Sequence, residues 1–377
     1  MRVSIISTSE QTGGAAVAAR RLTEALTGNG IEATMLVRDR QTGHPDVVAV
    51  GRRWLQRRHF LWERWCLFVH LRFSRKHLFH IDMANAGIDI TQTKAFQEAD
   101  VIHLHWINQG MLSLKGIRKI ILSGKPVVWT LHDIWPATAI CHLALDCRRF
   151  TGECHHCRYL PGGGGDNDLA HRVWQQKAAM LDGARVTFVG CSEWLAGEAR
   201  KSRLLQSQTV VAIPNPIDTT VFSPRGKAVA RRRMNLPADK RIILFVAQRI
   251  GNLYKGIDYL SAALGVMSSE HPDMANRLTL VLLGDDRAAS DIAKTLPPET
   301  EQRALGYISD PEVLADVYSA ADVFVLPSLS ENLPNTIMEA LACGTPCVGF
   351  RVGGIPEMID HRKNGYVADF RDVNDLA

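Results

Sequence analysis

Short apolar runs alternate along this chain with longer segments whose apolar side chains recur at helical spacing. In the first half, Arg2–Ser7, Glu32–Arg38, Val47–Val50, Asp100–Leu104, Pro126–Leu131, Val186–Cys191 and Val210–Pro214 predict strands. Between them, Ala15–Asn29 and Leu169–Leu181 have the helical period, with Gly30 a stop for the first, and Ser192 is placed to cap a helix that begins at Glu193. The second half repeats the alternation. Arg241–Ala247, Leu278–Leu283, Val323–Leu326 and Pro346–Phe350 predict strands, with helices at Ile257–Ser268 and Pro311–Ala320 and another starting near Asn335 or Thr336. Strand and helix taking turns in this way imply parallel sheets covered by helices, an α/β fold. The polar, proline-containing segment Pro214–Gly226 separates the halves, and 377 residues exceed one typical core, so two domains are expected, 1–214 and 215–377.

Composition narrows the class. An apolar share of 46% and a charged share of 22% are those of a globular protein. No apolar run reaches the roughly 20 residues of a membrane span, and the N-terminus enters a strand directly instead of showing a signal peptide, so a cytoplasmic enzyme is expected. The formal charge of +5 is unevenly placed. Residues 52–77 carry eight Arg and Lys against the single acid Glu63, with Trp54, Leu55, Leu61, Trp62, Trp65, Phe68, Val69 and Phe73 interleaved. A basic helix with a broad aromatic face suits the anionic surface of a membrane, which would make the protein peripheral on the inner face of the cytoplasmic membrane. A helix packed on its own domain with solvated arginines accounts for the same residues. Nucleic acid is not expected as a partner, because no recognition module accompanies the charge.

Candidate chemistry gathers where strands end, which is where open α/β sheets bind ligands. Glu331 and Glu339 flank the turn that leads from Leu326 into the helix near Asn335. The backbone amides of Leu333, Pro334 and Asn335's turn, at a helix start, form a cradle for an anion, Pro334 itself contributing shape and no N–H. The two acids are poor phosphate ligands and good acceptors for sugar hydroxyls. An ordinary strand-turn-helix with capping acids is the plain alternative. Arg249 and Lys255 follow the strand Arg241–Ala247, two cations suited to a diphosphate. The backbone of Leu305–Ile308, with Tyr307, is placed to hold a base. In the first half, Gly13-Gly14 follows the first strand and permits close backbone approach to a ligand, or simply makes a tight turn. His105 and His132 stand at the ends of two further strands.

Cys141, Cys147, Cys154 and Cys157 lie within seventeen residues, and in a reduced compartment such spacing points to metal before disulfide. A structural zinc held by the four thiolates is expected, with free thiols or a redox pair as alternatives. Four cysteines leave no open position, so no catalytic metal is expected.

With Arg249, Lys255-Gly256, Glu331-x7-Glu339 and His132 in place, the chain resembles a family 4 retaining glycosyltransferase of the GT-B fold. The cysteine-bearing loop after Leu131-His132-Asp133-Ile134-Trp135-Pro136 further resembles the bacterial colanic acid-type transferases that build surface polysaccharide. The resemblance implies two facing Rossmann-like domains with parallel sheets, the C-terminal one holding a UDP- or GDP-sugar donor and the N-terminal one a glycan or lipid-linked acceptor. It implies that Arg249 and Lys255 neutralise the diphosphate together with amides around Leu333 to Asn335. It assigns Glu331 to the donor sugar, Glu339 to the ribose, Tyr307 and Ile308 to the base, His132 to the sugar near its reacting carbon, and Gly13 and Gly14 to the acceptor side of the cleft. Two features depart from the pattern. Asn332-Leu333-Pro334 stands where glycines around an aromatic are usual, and the chain ends at Ala377, where family members continue through helices that clasp the N-terminal domain. The sequence is either truncated or dispenses with that clasp. A non-catalytic sugar-nucleotide-binding subunit and a GT-B-type sugar-nucleotide epimerase are the other readings.

Overall fold

The computed structural model describes residues 1–285 and 289–377. The chain divides into two compact units, Met1–Pro216 and Ile217–Ala377.

Among the described residues, the first unit is built on a seven-stranded parallel sheet: β1 (Arg2–Ser9), β2 (Glu32–Asp39), β3 (Val47–Ala49), β4 (Val101–Leu104), β5 (Val127–Leu131), β6 (Val186–Gly190) and β7 (Thr209–Ala212). The strand order is β3-β2-β1-β4-β5-β6-β7. β1 is buried on both faces from Val3 to Ser9, as a central parallel strand must be. Ile5, fully buried, pairs in register with Met35 on one side and His103 on the other. Helix α1 (Gly14–Gly28) lays Ala16, Ala18 and Ala19 against the sheet, small side chains that let helix and strand approach closely. Gly13, with φ of 92°, turns the chain into α1, and Gly30, with φ of 77°, turns it out again.

Helix α2 (Arg53–His70) is shorter than the 52–77 segment read from the sequence. It ends where Arg72 and Phe73 enter the left-handed region. Its polarity is also opposite to that of an ordinary packed helix. Gln56, Glu63, Arg64 and Leu67 face inward, while Trp54, Trp62 and Trp65 are each more than half exposed at 59%, 55% and 54%. The inward charges are matched: Glu63 accepts from the Ala84 N–H at 2.7 Å and Arg64 forms an ion pair with Asp82. A lone acid in a basic stretch reads as a surface residue until its tertiary partner is known.

The second unit carries β8 (Arg241–Arg249), β9 (Leu278–Asp285), β10 (Glu301–Ala304), β11 (Val323–Leu326), β12 (Cys347–Phe350) and β13 (Gly365–Ala368), parallel and in the order β10-β9-β8-β11-β12-β13. β10, Glu-Gln-Arg-Ala, has no apolar run and lies at the sheet edge, so hydrophobic patterning does not reveal it. Leu305–Ile308 is the loop that follows it. In each sheet the chain runs outward from one central strand and then restarts on its other side. That reversal falls between β1 and β4 in the first unit and between β8 and β11 in the second. At such a point the loops beyond neighbouring strands diverge and leave a crevice at the carboxyl ends.

Among the described residues, no helix is long and apolar enough to cross a membrane.

Candidate functional site

Several of the sequence-derived candidates lie at these two switch points, while Tyr307 and Ile308 follow the edge strand β10 and the cysteines lie on the loop after β5. In the second unit, the loop after β8 carries Lys255 and the loop after β11 carries Glu331, and the two side chains form an ion pair. Ser328 adds an Oγ–H bond of 2.9 Å to the same carboxylate oxygen. The loops are joined through their backbones as well, the Leu329 N–H donating to the Tyr254 carbonyl at 2.8 Å. Two glycines make this approach possible. Gly256, with φ of 75°, lies so close to β11's exit that a Cβ there would sit 1.8 Å from the Pro327 carbonyl oxygen. Gly353, with φ of 58°, presses against the Glu331 carbonyl, where a Cβ would fall at 1.6 Å. The glycines after β8 and β12 therefore fix where the cation and the acid can stand.

Arg249 closes β8, exposed and in register with Asp285 across a shift in the ladder after Val246. Pro334 caps the helix Asn335–Ala342 without a side-chain bond, and Leu333, Asn335 and Thr336 are half-buried around that helix start. Glu339, expected to face the same crevice as Glu331, is only 6% exposed, and its Oε2 accepts from the Tyr318 hydroxyl at 2.7 Å. Tyr307 is largely exposed, while Ile308 packs against the unit's core.

In the first unit, Gly13 and Gly14 follow β1, and His105 and Trp106 follow β4. The Thr8 N–H donates to the Trp106 carbonyl at 2.8 Å, binding the end of β1 to the loop after β4. His132, after β5, places Nε2 2.9 Å from His105 Nδ1, the rings stacked at 25° with centroids 5.1 Å apart. His103 Nε2 meets Thr130 Oγ1 at 2.8 Å. Burial drives all three imidazoles toward the neutral form. It takes His132 down to about 4 against the pull of Asp133, and His103 down to about 4 with His132 adding to the effect. His105, beside both, is also lowered well below its ordinary value, burial again being the main cause. These rings are therefore uncharged at neutral pH, suited to giving or accepting a hydrogen bond and not to carrying charge.

Behind them runs a chain of charges that sequence reasoning missed. Asp133 Oδ2 accepts from the Trp106 indole at 2.9 Å and meets His142 Nδ1 at 2.7 Å, and its Oδ1 accepts from the Trp135 N–H at 2.8 Å. The other face of His142 meets Asp82 through Nε2 at 2.6 Å, and Asp82 pairs with Arg64 on α2. Both ring nitrogens of His142 face carboxylate oxygens. Burial opposes ionisation of Asp133, but His142 and the bonds from Trp135 and Trp106 outweigh it and hold the carboxyl below its usual range. Asp82 and His142 are sixty residues apart, and no spacing rule joins them.

The four cysteines after β5 are half-buried free thiols. Burial pushes Cys154 and Cys157 up to about 11, and Cys141 higher still. Lys177, 1% exposed, lies beside them, donating from Nζ to the carbonyls of Trp135 at 2.6 Å and Thr138 at 3.0 Å over the Trp135 ring. No three of these sulfurs come within 4.8 Å of one another. Among the described residues, the group of metal-ligand type that does is His155, His156 and Asp166.

The chain matches the family described as Glycosyltransferase Family 4 over residues 12–221 and that described as Glycosyl transferases group 1 over residues 240–377. It is similar to a D-inositol 3-phosphate glycosyltransferase of Thermobispora bispora, 36% identical over 44% of this chain and 40% of that protein. A protein of the same description from Pseudarthrobacter chlorophenolicus is 30% identical over 74% of this chain and 60% of its own length. The chain thus spans about 40% of the length of the first of these relatives. Among solved structures, Anabaena Alr3699/HepE in complex with UDP and glucose aligns over 100% of this chain and 88% of its own, with a TM-score of 0.62 at 15% identity. WaaG, a glycosyltransferase involved in lipopolysaccharide biosynthesis, aligns over 99% and 89%, with a TM-score of 0.61 at 14% identity. At such identities the likeness is one of fold, GT-B with a parallel sheet in each of two Rossmann-like domains.

Proposed function

Because this chain belongs to glycosyltransferase family 4, we propose that it transfers a sugar from a nucleoside-diphosphate sugar to an acceptor hydroxyl, with retention at the reacting carbon. The observation that carries the reading is the Lys255–Glu331 pair at the β8/β11 switch point. A partly exposed pair of this kind contributes on the order of 1 kcal/mol or less, so its members exchange partners at little cost. A donor diphosphate takes Lys255, and the freed Glu331 accepts from a hydroxyl of the donor sugar.

The bond between the sugar carbon and the diphosphate breaks with its electron pair going to the leaving oxygen. The acceptor oxygen bonds to that carbon on the same face, and its proton passes to the departing diphosphate. No protein nucleophile is needed. Stabilising the leaving group is then the main task, supplied by Lys255, Arg249 and the amides at the start of the helix Asn335–Ala342. Tyr318 orients Glu339 for the ribose, and Tyr307 with Ile308 takes the base. His132, neutral and held by His105, offers a hydrogen bond near the reacting carbon without adding charge there. The first unit, with Gly13 and Gly14, takes the acceptor. HepE's complex with UDP favours a UDP-sugar as donor over a GDP-sugar.

For the acceptor, the exposed Trp54, Trp62 and Trp65 beside Arg52, Arg53, Arg57 and Arg58 favour a lipid-linked glycan of surface polysaccharide at an anionic membrane face. The relatives' names supply a second reading, an inositol phosphate as acceptor. Assays of nucleoside diphosphate release with each acceptor separate the two. Lys255→Ala and Glu331→Ala should each lower transfer about 10²–10³-fold while the protein stays folded. Normal turnover in both would defeat the proposal, and donor conversion without any acceptor would identify an epimerase. Flotation with anionic vesicles should be lost in Trp62→Ala/Trp65→Ala, whereas indifference to lipid charge would remove the membrane acceptor.

A further inference from the structure

The loop between Cys154 and Asp168 is built more firmly than a connection of its composition requires. Successive side chains of an extended backbone point to opposite sides. His156, however, has φ of 48°, in the left-handed region that non-glycine residues seldom enter, and this turns its ring to the same side as that of His155. The two ring centroids stand 5.1 Å apart at 71°. The run Gly162–Gly165 then brings the chain back, and the His156 N–H donates to the Gly165 carbonyl at 3.2 Å. Asp168 fastens the return. Its Oδ2 accepts from the Cys157 N–H at 2.9 Å, while its Oδ1 accepts from the His171 N–H at 2.9 Å and so caps the helix Leu169–Leu181. Asp166 is thereby held with Oδ1 2.8 Å from His156 Nε2.

From these placements we propose that His155, His156 and Asp166 bind one divalent transition-metal ion that staples the two ends of this loop. One donor atom from each of the three lies within 4.8 Å of the others. Metal–ligand bonds of about 2.0–2.2 Å place ligand atoms roughly 3–3.5 Å apart, so side-chain rotation alone closes the set around an ion. His155 Nδ1 is sheltered from solvent without a hydrogen-bond partner among the described residues, a donor atom for which the fold itself supplies no use. Two imidazoles and one carboxylate select zinc, nickel, cobalt or copper over magnesium and calcium, whose ligands are oxygens. Water completes the coordination on the solvent side.

A plain His156–Asp166 ion pair uses two of the three groups. It accounts neither for His155 nor for the left-handed backbone of His156. The competing ligands are the thiols of Cys141, Cys147, Cys154 and Cys157, and cobalt distinguishes the two sets.

Chelator-stripped full chain is titrated with Co2+ in the micromolar range. The expected result is one ion per chain, with visible d–d bands and no intense near-ultraviolet thiolate-to-cobalt charge transfer. Asp166→Asn and His156→Ala should each weaken binding by no less than the 10–100-fold that loss of an outer-shell partner costs. Asp166 and His156 are exposed, and thermal unfolding of the stripped variants checks that both fold. Cys154→Ser should keep both affinity and spectrum. Absence of stoichiometric binding overturns the proposal, and so does a charge-transfer band that Cys154→Ser abolishes, which would assign the ion to the thiols.

Discussion

At the switch point of the first sheet, the polar groups are spent on one another: three imidazoles in contact, and behind them Asp133, His142, Asp82 and Arg64 linked in sequence. At that of the second sheet, Lys255 and Glu331 have 31% and 11% of their side chains exposed and are fixed less by packing than by loops pinned at Gly256 and Gly353. The first arrangement resists change and excludes charge, whereas the second holds charge ready to be given away. Under the proposed function, the first would orient the acceptor hydroxyl and the second would receive and release the diphosphate.

The sharpest way to break this contrast is to remove the centre of the buried chain. His142→Ala leaves Asp82 and Asp133 facing a gap, and loss of one partner from a buried ionic network costs about 3–5 kcal/mol. Denaturant unfolding measures it, and a cost under about 1 kcal/mol would mean that the chain is not a structural unit. Next in size is the second site. Lys255→Ala and Glu331→Ala are each expected to lower kcat about 10²–10³-fold, the loss seen when one stabiliser of developing charge is removed. Acidification separates the sites in another way. His103 and His132 have pKa values of about 4 when folded against an ordinary 6.5, so the unfolded chain takes up their protons first as pH falls. Stability is intact above pH 6.5 and declines toward pH 4, by on the order of 2–3 kcal/mol per histidine. Chemical denaturation across that range measures the slope, and His132→Asn should flatten it. The smallest effect is on stability at the second site. Lys255→Ala should shift unfolding by about 1 kcal/mol or less, since a partly exposed pair holds little energy.

Both sheets were legible in the sequence because interior parallel strands are buried on both faces and therefore mostly apolar, as Val3–Ser7 and Leu278–Leu283 are apart from Ser4, Ser7 and Thr279. The same rule hides β10, an edge strand of polar residues. Lys255 and Glu331 could be read because strand ends are where such loops bind anions, and the distance between them in sequence, 76 residues, does not matter once both strands are placed. The Arg64–Asp82–His142–Asp133 chain could not be read, because each link joins separate elements and none repeats with any period. Helix α2 was legible only in part for a related reason. The sequence left open whether its aromatic face meets a membrane or the domain, and said nothing of the partners Ala84 and Asp82 that draw Glu63 and Arg64 inward while Trp54, Trp62 and Trp65 stay exposed.

The setting of Lys177 has a practical use. Its amine is sealed beneath two carbonyls and an indole face, and burial holds it far below the ordinary lysine range, so it is nucleophilic yet out of reach. An acylating reagent can find it only when residues 135–138 lift from the helix Leu169–Leu181. Mass-spectrometric labelling of this one amine is thus a stopwatch for local opening, started and read without adding a probe to the protein.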